Sequence, residues 1–211
     1  MDHIHRLIAE GEHQRLDFKF EISDARRIAR SFASFANTDG GRLLIGVKDN
    51  GSIAGIRSEE EFFMIESAAK VYCRPEVHFT FTNWKVEKKT VMEVIVPQSP
   101  SKPHFAETRP GEWHAYVRVN DQNFIANRIL LRVWKGRTVP RGVYLPITDA
   151  EKGLLQFLDS NPEISLSKFM KIAGIKRNRA ENILVRLLLL DILEMRFTEN
   201  QVYYKLKTAN Q

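Results

Sequence analysis

The chain has one cysteine, Cys73, in 211 residues. It can therefore form no internal disulfide and no multi-cysteine zinc site. It has no apolar run of about eighteen residues and no charged-then-apolar leader, so neither a membrane span nor a secretory signal is indicated, and the cytoplasm is the expected location. No Gly-x-x-x-x-Gly-Lys-Ser/Thr loop occurs, and Gly40-Gly41 sits where a helix gives way to a strand, the reverse of the order that cradles a nucleotide phosphate, which argues against ATP binding. Neither a Gly-x-Ser-x-Gly elbow nor a supported Cys/His pair is present, which argues against serine and thiol hydrolysis. The histidines show no metal-ligand spacing beyond His3 with His5 at the N-terminus and His104 with His114 near a proline-rich stretch. A large excess of one charge is also missing. The net charge is +6, with 22 Lys+Arg against 18 Asp+Glu in residues 1–147 and 10 against 8 in residues 148–211. Neither part is a polycation, so a nucleic-acid partner would need positive charge gathered on one face, as Arg26, Arg27 and Arg30 or Lys176, Arg177 and Arg179 allow.

What is present is an apolar content of 43%, enough to bury a sizeable core in one domain or two small ones; two is the reading adopted. Ile22, Ala25, Ile28, Ala29, Phe32, Ala33 and Ala36 fall at spacings of three and four, which predicts a helix with one apolar stripe, stopped by Asn37–Gly41. Leu43–Val47 is apolar and too short for a helix, so it reads as a central strand. Asp49-Asn50-Gly51 is a strong turn signal, and Ser52–Ile56 is expected to double back as a hairpin. Ser58 with the acids that follow it predicts a helix reaching about Cys73. Residues 76–82 and 85–96 read as a second hairpin turning at Asn83-Trp84. Four prolines between 97 and 110 predict a loop-rich crossing over 97–112. A strand over Trp113–Val119 and a helix around Ile125–Trp134 follow.

Residues 136–147 carry two glycines and two prolines without a sustained period, and the linker is placed at 139–147. Beyond it, Thr148-Asp-Ala-Glu151 is a capping box that opens a helix ending at Asn161-Pro162. Short helices over Ser165–Ala173 and Asn178–Leu190 are followed by strand-like runs at Ile192–Phe197 and Gln201–Leu206. Three helices closed by a hairpin resemble a winged helix-turn-helix. The third helix would then be the recognition helix, with Lys176, Arg177, Asn178 and Arg179 in its first turn: Arg and Asn suit base edges, Lys and backbone amides suit phosphate.

Glu12–Lys19, Phe35-Ala36-Asn37-Thr38 with Gly40-Gly41, Leu44–Val47 followed by Asp49, Gly51 and Gly55, and Ala115–Val119 together resemble the Schlafen-type AlbA domain over roughly residues 5–136. That resemblance implies an α+β fold: a mixed-sheet AlbA/Schlafen-like domain at 1–138, followed by the small winged helix-turn-helix domain at 148–211. It implies a nucleic-acid-binding protein, with a DNA-binding transcriptional regulator as the leading reading. Arg118, in the strand that matches the family's Tyr-x-Arg, joins Arg26, Arg27, Arg30 and Lys19 as expected contacts to the nucleic-acid backbone. The alternative it carries is a metal-dependent endonuclease in which Glu12, Asp17 and Asp49 hold Mg²⁺ or Mn²⁺ and Lys19 steadies the phosphate. Here the family's usual Glu-Phe-Lys is Asp17-Phe18-Lys19, one methylene shorter in reach. Turn chemistry alone accounts for Asp49. Binding requires no cofactor in the leading reading, which leans away from an enzyme. DNA is favoured over RNA, no membrane partner is expected, and two-fold DNA sites make a homodimer the natural assembly.

Overall fold

The computed structural model describes residues 2–57, 60–137 and 148–208. Asp2 caps the first helix, α1 (His3–Glu10), by accepting the His5 N–H at 2.9 Å. His3 and His5 thus lie on a helix, which buries Ile4 and Leu7. The strand β1 (Leu16–Lys19) leads into α2 (Ala25–Asn37), capped by Asp24, and then into β2 (Gly41–Ile45). The helix α3 (Glu60–Lys70) and the short β3 (Cys73–Arg74) follow; the expected cap at Ser58 lies outside the described residues. Next come β4 (Thr80–Val86), β5 (Lys89–Val96), β6 (Phe105–Arg109), β7 (Glu112–Val119) and β8 (Gln122–Ile125).

These elements form a mixed α+β unit with two four-stranded sheets, ordered β1-β2-β5-β4 and β3-β6-β7-β8. Only β1 and β2 run parallel, with Asp17 beside Leu43; the remaining pairs are antiparallel. The period-two alternation of a strand sorts the first sheet's side chains. Leu43, Ile45, Met92 and Val94 join Ile28, Phe32 and Phe35 of α2, together with Ala106 and Tyr116 of the second sheet, in one core. Leu16, Phe18, Leu44 and Val91 pack with Ile4 and Leu7 on the opposite face. Asp17 and Lys19, offset by one from Leu16 and Phe18, therefore face α2.

Four expectations change. The β4–β5 hairpin turns at Glu87-Lys88, both at positive φ, and not at Asn83-Trp84, which pairs with Met92 and Val91 inside the ladder. The β-propensity of the aromatic and β-branched residues around Asn83, from Thr80 to Val86, outweighed the turn propensity of asparagine. The crossing over 97–112 contains a strand, β6, because its four prolines leave Phe105–Arg109 free to donate to β7. Gln122–Ile125 is a strand as well. After Asp49-Asn50-Gly51 the chain makes a single bridge, Val47 with Ile53, in place of a full hairpin.

Contacts divide the chain between Ala126 and Asn127. The second unit begins with α4 (Arg128–Arg137), the helix that sequence reading grouped with the first domain; Ile129 and Val133 are buried with Ile183, Leu184 and Leu187 of this unit. The expected linker at 139–147 lies outside the described residues. Then come α5 (Asp149–Ser160), entered through the Thr148/Glu151 capping box, β9 (Ile164–Ser165), α6 (Leu166–Ala173), α7 (Arg177–Leu189), β10 (Leu193–Phe197) and β11 (Val202–Leu206). Gly174, at φ 62°, closes α6 in the left-handed conformation that a helix C-terminus favours. The three strands form an antiparallel sheet ordered β10-β11-β9. No helix among the described residues is long and apolar enough to cross a membrane.

Candidate functional site

In the first unit, a polar cleft of about 570 Å³ opens between β1, the start of α2 and the β7–β8 turn. Asp17 lies in its wall and is almost fully buried. One carboxylate oxygen faces the Lys19 ammonium at 2.9 Å and accepts the Ser31 hydroxyl at 3.3 Å; the other faces the Arg118 guanidinium at 3.4 Å. Burial alone would raise the Asp17 pKa, but the Lys19 and Arg118 charges and hydrogen bonds from Glu12 and Lys19 outweigh it and hold the carboxyl below its ordinary value. Glu12 goes the other way. Burial first, then its hydrogen bond with Asp17 and that residue's charge, raise its pKa, while its carboxylate accepts the Phe18 N–H at 2.7 Å.

The structure thus brings Glu12, Asp17 and Lys19 together and leaves Asp49 exposed in its turn. Among the described residues no group of three His, Cys, Asp or Glu side chains is arranged to hold a metal ion. The donor set does not fit Mg²⁺ or Mn²⁺: both Asp17 oxygens already face the Lys19 and Arg118 cations and a Glu12 oxygen already accepts the Phe18 N–H, whereas a hard divalent ion needs several free anionic oxygens.

Arg118 corrects a sequence expectation. Its side chain is 1% exposed and its Nη2 donates to the Leu16 and His13 carbonyls at 3.2 and 3.3 Å. It is an internal cross-brace and not a contact offered to a nucleic-acid backbone. The α2 arginines divide. Arg26 is held by Glu107 at 3.5 Å and stacks 4.5 Å from the Tyr72 ring centre, whereas Arg27 and Arg30 are exposed.

In the second unit, Lys176, Arg177, Asn178 and Arg179 are all exposed at the start of α7. Arg177 bonds through Nε to Glu181 at 2.9 Å, one turn further along the helix. Glu181 is 1% exposed, and Arg128 and Arg132 of α4 also reach it, at 3.7 and 3.9 Å. Sequence reading puts Arg128 and Arg132 on the polar side of the helix around Ile125–Trp134 without giving them a role, and it does not single out Glu181. The available signal was that residues 128–137 hold Arg128, Arg132, Lys135 and Arg137 and no acid.

With the boundary at Ala126, residues 1–126 hold 17 Lys+Arg against 18 Asp+Glu, net −1, and residues 127–211 hold 15 against 8, net +7. The positive charge of the molecule thus belongs to the second unit.

No protein of curated function matches this chain. Among solved structures it is similar to the DIP2311 protein of Corynebacterium diphtheriae, with 19% identity, a TM-score of 0.47, and coverage of 64% of this chain and 30% of that one. It is also similar to the N-terminal domain of a RecG-related protein of Nitrosomonas europaea, with 22% identity, a TM-score of 0.39, and coverage of 61% of this chain and 97% of that one. The family model described as Schlafen, AlbA_2 matches residues 12–127, from the Glu12 turn through the last strand of the first unit. That is more than half of the sequence, and the chain belongs to the Schlafen, AlbA_2 family.

Proposed function

We propose that this chain binds nucleic acid, DNA in preference to RNA, through its second unit, and that it acts as a transcriptional regulator. The observation that carries this reading is the +7 charge of residues 127–211 combined with four exposed polar or cationic side chains, Lys176, Arg177, Asn178 and Arg179, in one helical turn. A helix with that first turn can enter a major groove, its Arg and Asn addressing base edges and its Lys and backbone amides addressing phosphate. The order α5-α6-α7-β10-β11, with β9 completing the small sheet, supports reading this unit as a winged helix-turn-helix. Membership of the Schlafen, AlbA_2 family supports the nucleic-acid partner. A homodimer suits this reading, since two-fold operator sites match two-fold proteins. The Asp17 cleft supports the nuclease alternative less well, because Lys19 and Arg118 already neutralise the carboxylate that a metal would need.

The test incubates wild type, Asp49→Ala and the double variant Arg177→Ala/Arg179→Ala with labelled duplex DNA, single-stranded DNA and transfer RNA, with Mn²⁺ or chelator, on native and denaturing gels. The expected result is intact, shifted duplex whose affinity falls steeply with salt and is lost in the double arginine variant. Metal-dependent cuts that vanish in Asp49→Ala would make the chain an endonuclease. A shift that survives in the arginine variant would remove α7 from the interface.

A further inference from the structure

Three guanidinium groups from two helices meet at one carboxylate. Glu181 of α7 is buried, and around it stand Arg177 from its own helix and Arg128 and Arg132 from α4. The cluster carries three positive charges against one. Arg177 and Arg128 each keep 69% of their side chains exposed. The contacts of Arg128 and Arg132 to Glu181, at 3.7 and 3.9 Å, are ion pairs too long for hydrogen bonds, and Glu181 Oε2 has no hydrogen-bond partner. Arg132 spends one N–H on the Asn182 side chain, and a guanidinium has five to give. Most of these donors are therefore left for a ligand, while one buried carboxylate draws the three groups to the same place. A cleft of about 300 Å³ beside them is lined by Arg128, Arg177 and Glu181 and by Ser165 and Ser167 at the start of α6.

We propose that Arg128 and Arg132 of α4 join Arg177 in a single grip on a backbone phosphate of bound nucleic acid, which leaves Asn178 and Arg179 to the base edges, and that Glu181 is the positioning residue that holds the three guanidiniums in register. The inference rests on the nucleic-acid reading and extends it to a helix that lies beyond the family match at residues 12–127. Charge-assisted contacts from planar guanidinium forks are the strongest that a protein offers phosphate, and their worth depends on prior orientation. A carboxylate used in this way gives up one unit of attraction to fix the direction of three.

The experiment measures fluorescence anisotropy of labelled mixed-sequence duplex DNA with the full chain over a series of KCl concentrations. The variants are Arg128→Gln, Arg132→Gln, Arg177→Gln and Glu181→Gln. Arg109→Gln, an exposed arginine of the first unit with 79% of its side chain accessible, is the equal-charge control. Arg128→Gln and Arg132→Gln are each expected to bind about tenfold more weakly and to lower the salt slope by about 1, with unchanged melting temperatures, while Arg109→Gln binds as wild type. Glu181→Gln makes the chain more positive by one. If Glu181 only offset charge, binding would tighten; a positioning residue predicts binding several-fold weaker in a protein that still melts cooperatively. Wild-type affinity in both α4 variants alongside weakened Arg177→Gln would overturn the inference and leave the proposed function standing. Tighter binding by Glu181→Gln would overturn the positioning role. Failure of the wild type to bind any duplex would overturn both readings.

Discussion

Arg118 reaches across 101 residues to Asp17 and braces the carbonyls of His13, before β1, and Leu16, at the start of β1. Removing one partner of a buried pair leaves an uncompensated charge, so Arg118→Met is expected to cost about 3–5 kcal/mol in urea unfolding. Loss of less than about 1 kcal/mol would refute the brace. The pair also sets a pH dependence. The Asp17 pKa is depressed on folding, so its contribution is complete above the unfolded value near 3.9 and is lost as pH falls through the lower folded one. Glu12 is shifted upward, so it contributes the opposite slope: stability declines as pH rises from its unfolded pKa to its raised folded one. Asp17→Asn removes the negative neighbour and should lower the Glu12 pKa, read by NMR titration of its carboxyl carbon; no change would assign the whole shift to burial. Sequence grouped Glu12, Asp17 and Lys19 with Asp49, and placed Arg118 among the cations offered to a nucleic-acid backbone, so it missed both the separation of Asp49 and the burial of Arg118. An arginine in a strand reads as a surface residue, and burial was decided by a carboxylate far away in the chain.

At the scale of elements, the junction from α2 to β2 shows why a short motif was so legible. Asn37, the last residue of α2, is buried; its amide donates to the His104 and Tyr116 carbonyls at 2.8 and 2.9 Å and its oxygen accepts the His104 N–H at 2.8 Å. Four residues on, a Cβ at Gly41 would lie 2.3 Å from the Phe35 ring. One side chain and one missing side chain therefore tie α2 to both sheets. Asn37→Ala leaves three buried groups unpaired and is expected to cost roughly 3 kcal/mol or more in denaturant unfolding; a cost under about 1 kcal/mol would show that water replaces the amide. The crossing held by Asn37 contains His104, whose Nδ1 faces the Pro75 carbonyl at 2.9 Å and so carries the proton, while Nε2 accepts from Ser99 at 2.7 Å. Burial foremost, aided by nearby His78 and Lys102, lowers the His104 pKa. Its folded state therefore resists protonation, and stability is expected to decline as pH falls below about 6.5, with His104→Gln flattening that part of the profile. Local punctuation read from sequence served well where it was chemical, at Asn37–Gly41 and at the Thr148 capping box. It failed where tertiary pairing competed, as at Asn83-Trp84, which became mid-ladder residues.

For the molecule as a whole, the location of one helix changes the meaning of the charge. With α4 assigned to the first domain, positive charge was spread over both halves and indicated little. With α4 buried against α7 through Ile129 and Val133, the first unit is near neutral and the second strongly basic. The amphipathic period of 125–134 announced a helix, but periodicity cannot say which core an apolar stripe joins; only the complementary face of α7 decides that. This difference leads to a prediction in hydrogen exchange. Bound duplex DNA should slow exchange of amides in residues 128–137, in 164–180 and at the β10–β11 turn, and leave residues 25–37 of α2 at their free rate, because a protein that grips phosphate with one basic face orders that face first. Protection concentrated at α2, around the exposed Arg27 and Arg30, would instead place nucleic acid on the near-neutral unit. It would mean that the shape of the cleft, and not the overall charge, selects the partner.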